Sequence, residues 1–269
     1  PGLTPLARIA QRAGFEVVVA APHRQYSGAS AALTSKEVDG RLALVDGRPP
    51  GLPDDIPAQG VKAAPALISF IAGYGAFGPR PDLVLSGINL GANTGRATLH
   101  SGTLGAALSA ATQGIRAMAV SVAASHPQHW ETAEMVSERA LAWLLEQDAD
   151  ERVLNINVPD VPVGRLRGLR PATLASFGAV QARVKETGKD YVSMTYEGAS
   201  TREEPGSDHH LLSRGWATAT MMRAPVDDHA GLELPSFDAG GTGGTRLEVS
   251  TGTVMSSGDD QPSGEVAAD

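Results

Sequence analysis

Apolar residues fall along this chain in two alternating rhythms, one helical and one strand-like. Leu6, Ile9, Ala10 and Ala13 share a helical face ahead of Gly14, so residues 4–13 read as a helix. Residues 15–21 (FEVVVAA) form a run that is apolar except for Glu16 and is closed by Pro22, the pattern of a strand covered on both faces. A polar loop (23–30) precedes a short strand at 41–45 and a loop at 46–59 rich in Pro, Gly and Asp. An apolar helix is expected at 63–73, where Pro65 suits the first turn. Then come strand 83–86, helix 103–112, strand 117–122, helix 131–146 and strand 153–158, which Pro159 ends. In the longest helix, Met135, Val136, Ala140, Leu144 and Leu145 make the buried stripe. Strand–helix alternation of this kind predicts an α/β fold: a mostly parallel sheet with helices on both faces.

The alternation fades after Pro159. Strand-like pieces at 191–196 and 216–222 flank a short polar helix near Asp208, which reads as a β-rich arm of the kind used to oligomerise. Beyond Asp238 the chain turns to Gly, Ser, Thr and Asp, with too little apolar surface to offset ordering entropy, so a disordered tail is expected at 238–269. No internal repeat is evident.

Composition narrows the function classes. The 269 residues are 42% hydrophobic and 19% charged, enough for a substantial core, but aromatics are only 4%, so Ala, Val, Leu and Ile must build it. There is no cysteine, which removes disulfides, zinc–thiolate sites and a thiol nucleophile and fits a cytoplasmic location. A net charge of −8 argues against a nucleic-acid polymer as main partner, though not against a small phosphorylated ligand. The best candidate for a membrane span, residues 63–77, is short and interrupted by glycine. The chain starts at proline and enters a helix almost at once, without the regions of a secretion signal, and a further upstream segment is expected.

The richest stretch for chemistry is PDLVLSGINLGANTGRATLHSGTLGAAL (81–108). It reads as a strand ending in a Gly- and Asn-rich loop, followed by the small-residue turn Ser101-Gly102-Thr103 that opens a helix. In a parallel sheet, ligands bind beyond the carboxyl ends of the strands, where this loop and the 22–30 loop both lie. If the two meet in one crevice, Ser27 and Asn89 can offer neutral oxygens to a hard cation. Asn93, Ser101 and Thr103 can then donate to phosphate oxygens, together with the backbone N–H groups of the helix that begins near Gly102. The plainer reading is that Gly and Asn serve loop geometry and Ser101 is an N-cap; both readings stand at this point. No G-x-x-x-x-G-K-[ST], early G-x-G-x-x-G or G-x-S-x-G motif is present. His100 and Arg24 are further phosphate candidates, His209 and His210 read as solvent-facing, and Asp227-Asp228-His229 imitates a metal cluster.

Four stretches resemble the SurE family, the stationary-phase survival proteins that act as metal-dependent nucleoside monophosphate phosphatases. They are VVVAAPHRQYSGAS (17–30), PDLVLSGINLGANTG (81–95), LHSGTLGAAL (99–108) and LNINVP (154–159). The resemblance implies a Rossmann-like three-layer core over residues 1–160. It also implies a C-terminal extension (161–237) that completes the domain and makes homodimer or homotetramer contacts. It assigns a divalent ion (Mg²⁺ or Mn²⁺) to Ser27, Asn89 and two aspartates of a T-N-D-D-G motif. The phosphate falls to Asn93 and the turn Ser101-Gly102-Thr103, with Asn93, Ser101 and Thr103 as the catalytic set.

Two departures stand out. The family motif runs on from its aspartates as D-D-G-[IV]-x-A-P-G-[IL], and this chain begins at Pro1-Gly2-Leu3. The chain as given is therefore expected to show little activity. Residues 60–65 (GVKAAP) stand where the family has G-T-P-x-D-C, which leaves nucleoside preference open. The reading is a metal-dependent hydrolase of nucleoside 5′- or 3′-monophosphates, of 5′-nucleotidase or acid phosphatase type. The alternatives are a nucleotide-binding module without chemistry, and a phosphatase for another small metabolite.

Overall fold

The computed structural model describes residues 2–26, 28–148, 151–177, 180–198 and 203–225. Helix α1 (Leu3–Arg12) leads into β1 (Val19–Pro22), and two small strands, β2 (Glu37–Val38) and β3 (Arg41–Leu42), form a hairpin. Next come β4 (Leu44–Val45), β5 (Ala58–Val61), α2 (Pro65–Ala72) and β6 (Leu83–Leu90). A 3₁₀ turn (Gly95–His100) precedes α3 (Gly102–Ala111), β7 (Arg116–Val122), α4 (Trp130–Leu145) and β8 (Arg152–Val158). The remainder is β9 (Leu169–Pro171), β10 (Val180–Thr187), β11 (Val192–Gly198), α5 (Asp208–Ser213) and β12 (Ala217–Arg223).

The larger sheet has the order β6-β7-β8-β12-β9, in which β6, β7 and β8 run parallel and β12 is antiparallel to β8. A second sheet, β1-β5-β4, pairs β1 and β5 in parallel. Because side chains alternate across a strand, β7 and β8 show two different faces. One presents Met118, Val120, Val122, Leu154, Ile156 and Val158 to α1 and α4. The other presents Ala117, Ala119 and Val153 to Leu104, Ala107, Ala110 and Ala111 of α3. Helices on both sides of a mostly parallel sheet make the Rossmann-like α/β architecture expected from the alternation.

Most elements lie within a residue or two of their expected places, and Pro65 does open α2. Residues 15–21 differ. Only Val19–Pro22 is strand, Val18 is exposed, and β1 is half-buried, because it pairs with β5 alone and helices cover it incompletely. The expected loop at 46–59 ends in β5, which is hydrogen-bonded on both sides. β9 and β12 come from the expected arm yet sit in the main sheet, while β10 and β11 form a separate antiparallel pair. His209 and His210 are half-buried rather than solvent-facing, since α5 packs against β12 and β8. The expected tail and Asp227-Asp228-His229 lie outside the described residues.

Candidate phosphate site

At the end of β6 the pairing with β7 steps from Ser86↔Ala119 to Asn89↔Ser121, three residues on one strand against two on the other. This is a bulge, a device that re-aims side chains at the rim of a sheet. Only glycine fits its middle. Gly87 has φ 129°, and a Cβ there would run into the Val120 carbonyl oxygen. The S-G-I-N run thus sets Asn89 level with Ser121. Asn89 Nδ2 donates to the Gly91 carbonyl at 2.8 Å, which leaves Oδ1 for another partner. The start of α1 lies against the same bulge: the Ile88 N–H donates to the Gly2 carbonyl at 2.9 Å.

Asn93, four residues on, is held from the floor of the sheet. Its backbone N–H donates to Asn157 Oδ1 at 2.7 Å. Its carbonyl accepts from Asn157 Nδ2 at 2.9 Å and from Asn155 Nδ2 at 3.0 Å. Its own Nδ2 donates to Ser121 Oγ at 2.7 Å, leaving one N–H and Oδ1 of the carboxamide unspent. Ser121, Asn155 and Asn157 are completely buried. Two residues further, the Gly95 N–H donates to Asp208 Oδ2 at 2.8 Å. Asp208, also completely buried, takes the N–H groups of Ala175 and His209 on Oδ1 at 3.0 and 2.7 Å. Burial pushes the Asp208 carboxyl above the usual aspartate range, against the opposite pull of those three N–H donors and of His209.

The other candidate element is the α3 N-terminus. Ser101 is its N-cap, Oγ accepting from the Leu104 N–H at 3.2 Å. The first N–H groups of α3, those of Gly102 and Thr103, come before any intrahelical partner. The 22–30 loop meets this turn. Ser30 Oγ donates to the Leu99 carbonyl at 2.6 Å, and a Cβ on Gly102 would stand 3.3 Å from the Tyr26 carbonyl oxygen. Gly105 packs so tightly on the Ser30 carbonyl that a side chain would strike it. Arg24 stacks over Tyr26 at 5.2 Å, and His100 is exposed. Thr103 is half-buried; Ser27 lies outside the described residues. A cleft of about 440 Å³ adjoins the Asn93 loop, lined in part by Ala92, Ala123, Asp160, His209 and Leu212.

These groups suit an anion better than a cation. Among the described residues there is no cluster of three or more His, Asp or Glu able to hold a metal ion. Asn89 Oδ1 is a neutral oxygen, and a hard dication requires carboxylates as well, so the described residues do not fit a complete metal centre. Backbone N–H groups at a helix start and a fixed carboxamide do fit a phosphate. Sequence reasoning missed Ser121, Asn155, Asn157 and Asp208. The signal for two of them was visible: Asn at alternate positions of the apolar run LNINV places two amides on one face of a buried strand.

Comparison with known proteins decides the family. The sequence profile described as Survival protein SurE matches residues 1–180. The chain belongs to the SurE family. A 5′-nucleotidase SurE of Nitrosococcus oceani is 31% identical over 242 residues, covering 87% of this chain and 90% of the relative. The 5′-nucleotidase SurE of Citrifermentans bemidjiense is 33% identical over 248 residues, covering 87% and 92%. The crystal structure of the SurE protein from Aquifex aeolicus superposes with a TM-score of 0.69 at 25% identity, over 85% of this chain and 90% of that one. Among the described residues, no helix is long and apolar enough to cross a membrane.

Proposed function

We propose that this SurE-family chain binds the phosphate of nucleoside monophosphates, the 5′ esters first, and belongs to a phosphomonoester hydrolase. The observation that carries the reading is the Asn93 loop, held by Asn157 and Ser121 beyond the carboxyl end of β6; the reading takes it to face the capped start of α3 across one phosphate. In this reading the unspent Asn93 N–H and the Gly102 and Thr103 backbone N–H groups take the phosphoryl oxygens. Ser101 keeps the helix start in place. Neutral donors set before the reaction accommodate charge redistribution at phosphorus without themselves reorganising. Hydrolysis of a 3′ monophosphate belongs to the same proposal, as does divalent-ion dependence involving Ser27 and Asn89. Exposed Val184, Val192 and Met194 on β10–β11, with Tyr191 just ahead of β11, support a homodimer or homotetramer, and the absence of cysteine supports a cytoplasmic setting.

The test is phosphate release from a panel of monoesters, with Mg²⁺ or Mn²⁺ and with EDTA. It compares the 269-residue chain with a version carrying a T-N-D-D-G-type segment ahead of Pro1. The expected outcome is little turnover by the chain, and metal-dependent turnover of nucleoside 5′-monophosphates by the longer version. Absence of turnover on every ester by both overturns the hydrolase reading. A second reading, nucleotide binding without chemistry, is favoured by the lack of an acidic cluster among the described residues. AMP binding with no turnover in both versions would select it.

A further inference from the structure

Toward the carboxyl ends of β7 and β8, one face of the sheet changes character. Ala117, Ala119 and Val153 lie under α3; one pleat further, the same face carries Asn155 and then Ser121 and Asn157, which pair in register. Burying three polar side chains in a sheet otherwise built from Ala, Val, Leu and Ile is costly unless each is bonded. Here all three bond to one residue, Asn93, Asn155 through its Nδ2 while its Oδ1 stays buried without a partner. Apolar residues would cover the sheet equally well. They could not hold a loop in one pose.

We infer that Asn157, with Asn155 and Ser121, is a positioning set that fixes Asn93 for phosphate; the inference rests on the phosphate reading proposed above. A primary carboxamide carries a donor and an acceptor side by side, and Asn157 applies both to the same residue, 2.7 Å to its N–H and 2.9 Å to its carbonyl. That two-point grip sets the peptide planes on either side of Asn93. Asn155 adds a second donor to the same carbonyl, using its other lone pair. Ser121 then turns the Asn93 carboxamide by taking one of its N–H groups. What remains free on Asn93 is one N–H and Oδ1, held in a fixed direction from strands rather than from a loop. The whole set is neutral, so the rigidity comes without a carboxylate that would repel the ligand.

The experiment measures the dissociation constants of inorganic phosphate and AMP for the 269-residue chain and four variants, each well below its unfolding midpoint. Asn157→Leu is close in size and uncharged. It is expected to weaken phosphate binding at least about tenfold, as Asn93→Ala does, because both remove hydrogen bonds that fix the donor. The double variant is expected to be no weaker than Asn93→Ala alone, since the two residues act through one contact. Ser121→Ala, a single-atom change that the fold tolerates, is expected to cost about fivefold. Binding within twofold of the parent for Asn157→Leu, or for Ser121→Ala if the former does not fold, overturns the inference. So does a double variant whose losses simply add, the mark of a structural role alone. A parent chain that binds neither probe overturns the phosphate reading itself, a distinct result.

Discussion

The two sheets that supply the candidate site are built to different standards. In β7 and β8, six of seven residues are buried, and their side chains reach up to hold the Asn93 loop. In β1 only Val19 of four is buried, and in β5 two of four. The 22–30 loop that follows β1 rests on the turn before α3 and on the end of the small sheet: Ser30 bonds to the Leu99 and His100 carbonyls, and the His23 N–H to the Val61 carbonyl at the end of β5. One wall of the site is therefore referenced to a closed core and the other to its neighbour. On the phosphate reading proposed above, a ligand between them would meet a fixed donor on one side and an adjustable one on the other.

The contrast is broken most directly in the cores. Ile156 is completely buried between α1, α4 and the sheet, so Ile156→Ala is expected to destabilise by about 2–5 kcal/mol. Val19→Ala, in the smaller cluster with Ala7, Leu52 and Ile56, is expected to cost about 1–2 kcal/mol. Denaturant unfolding of both checks the order, and equal losses would remove the distinction. Native-state hydrogen exchange sharpens it. The Val120 and Ile156 amides are expected to open only with global unfolding, and those of residues 19–23 well before.

A substitution at the seam separates the two walls. Gly105→Val would drive a side chain onto the Ser30 backbone carbonyl, which has no rotamer through which to yield. Overpacking of this kind is expected to cost about 1–3 kcal/mol. Its local reading is more telling. The Ser30 N–H, bonded to His100, should lose exchange protection, while the Gly95 N–H, bonded to Asp208, keeps it. Equal loss at both would mean that the 22–30 loop and the Asn93 loop move as one body.

How far the sequence carried this picture follows from the same contrast. Where burial is complete, hydrophobic rhythm is a faithful guide: residues 117–122 and 153–158 lie within β7 and β8, and 131–146 matches α4 within one residue at either end. Where it is partial, the rhythm misleads. The run 15–21 yields three residues of strand, and β5, with sequence AQGV, is a strand because β1 and β4 bond to it, not because its residues favour extension. The turns bearing Asn89, Asn93 and Ser101 were legible because glycine and small polar residues mark strand ends. Asp208 was not. It lies 113 residues from the glycine whose N–H it accepts, and no local pattern joins the two.

Asp208 gives the smallest and most specific expectation. Its carboxylate takes three backbone N–H groups, yet burial outweighs them and raises its pKa. Between the ordinary aspartate value of about 3.9 and the raised folded value, the folded chain holds a proton that the unfolded chain has released. Stability from this group is thus fully present below the ordinary value and declines as pH rises through that window. Asp208→Asn removes the titration. Its oxygen can still accept from Ala175 and His209, but its NH₂ would turn a donor toward the Gly95 N–H. Subtracting the variant's unfolding midpoint from the parent's at each pH cancels the remaining carboxylates. The difference is expected to shift in the parent's favour on acidification from neutrality toward pH 4. At neutral pH the variant's Gly95 N–H should exchange faster, with Ser30 unchanged. A difference that is flat, or that grows toward neutrality, would mean that the three N–H donors, not burial, govern this carboxyl. Asp208 would then be an anchor of the Asn93 loop as firm as the amides beneath it.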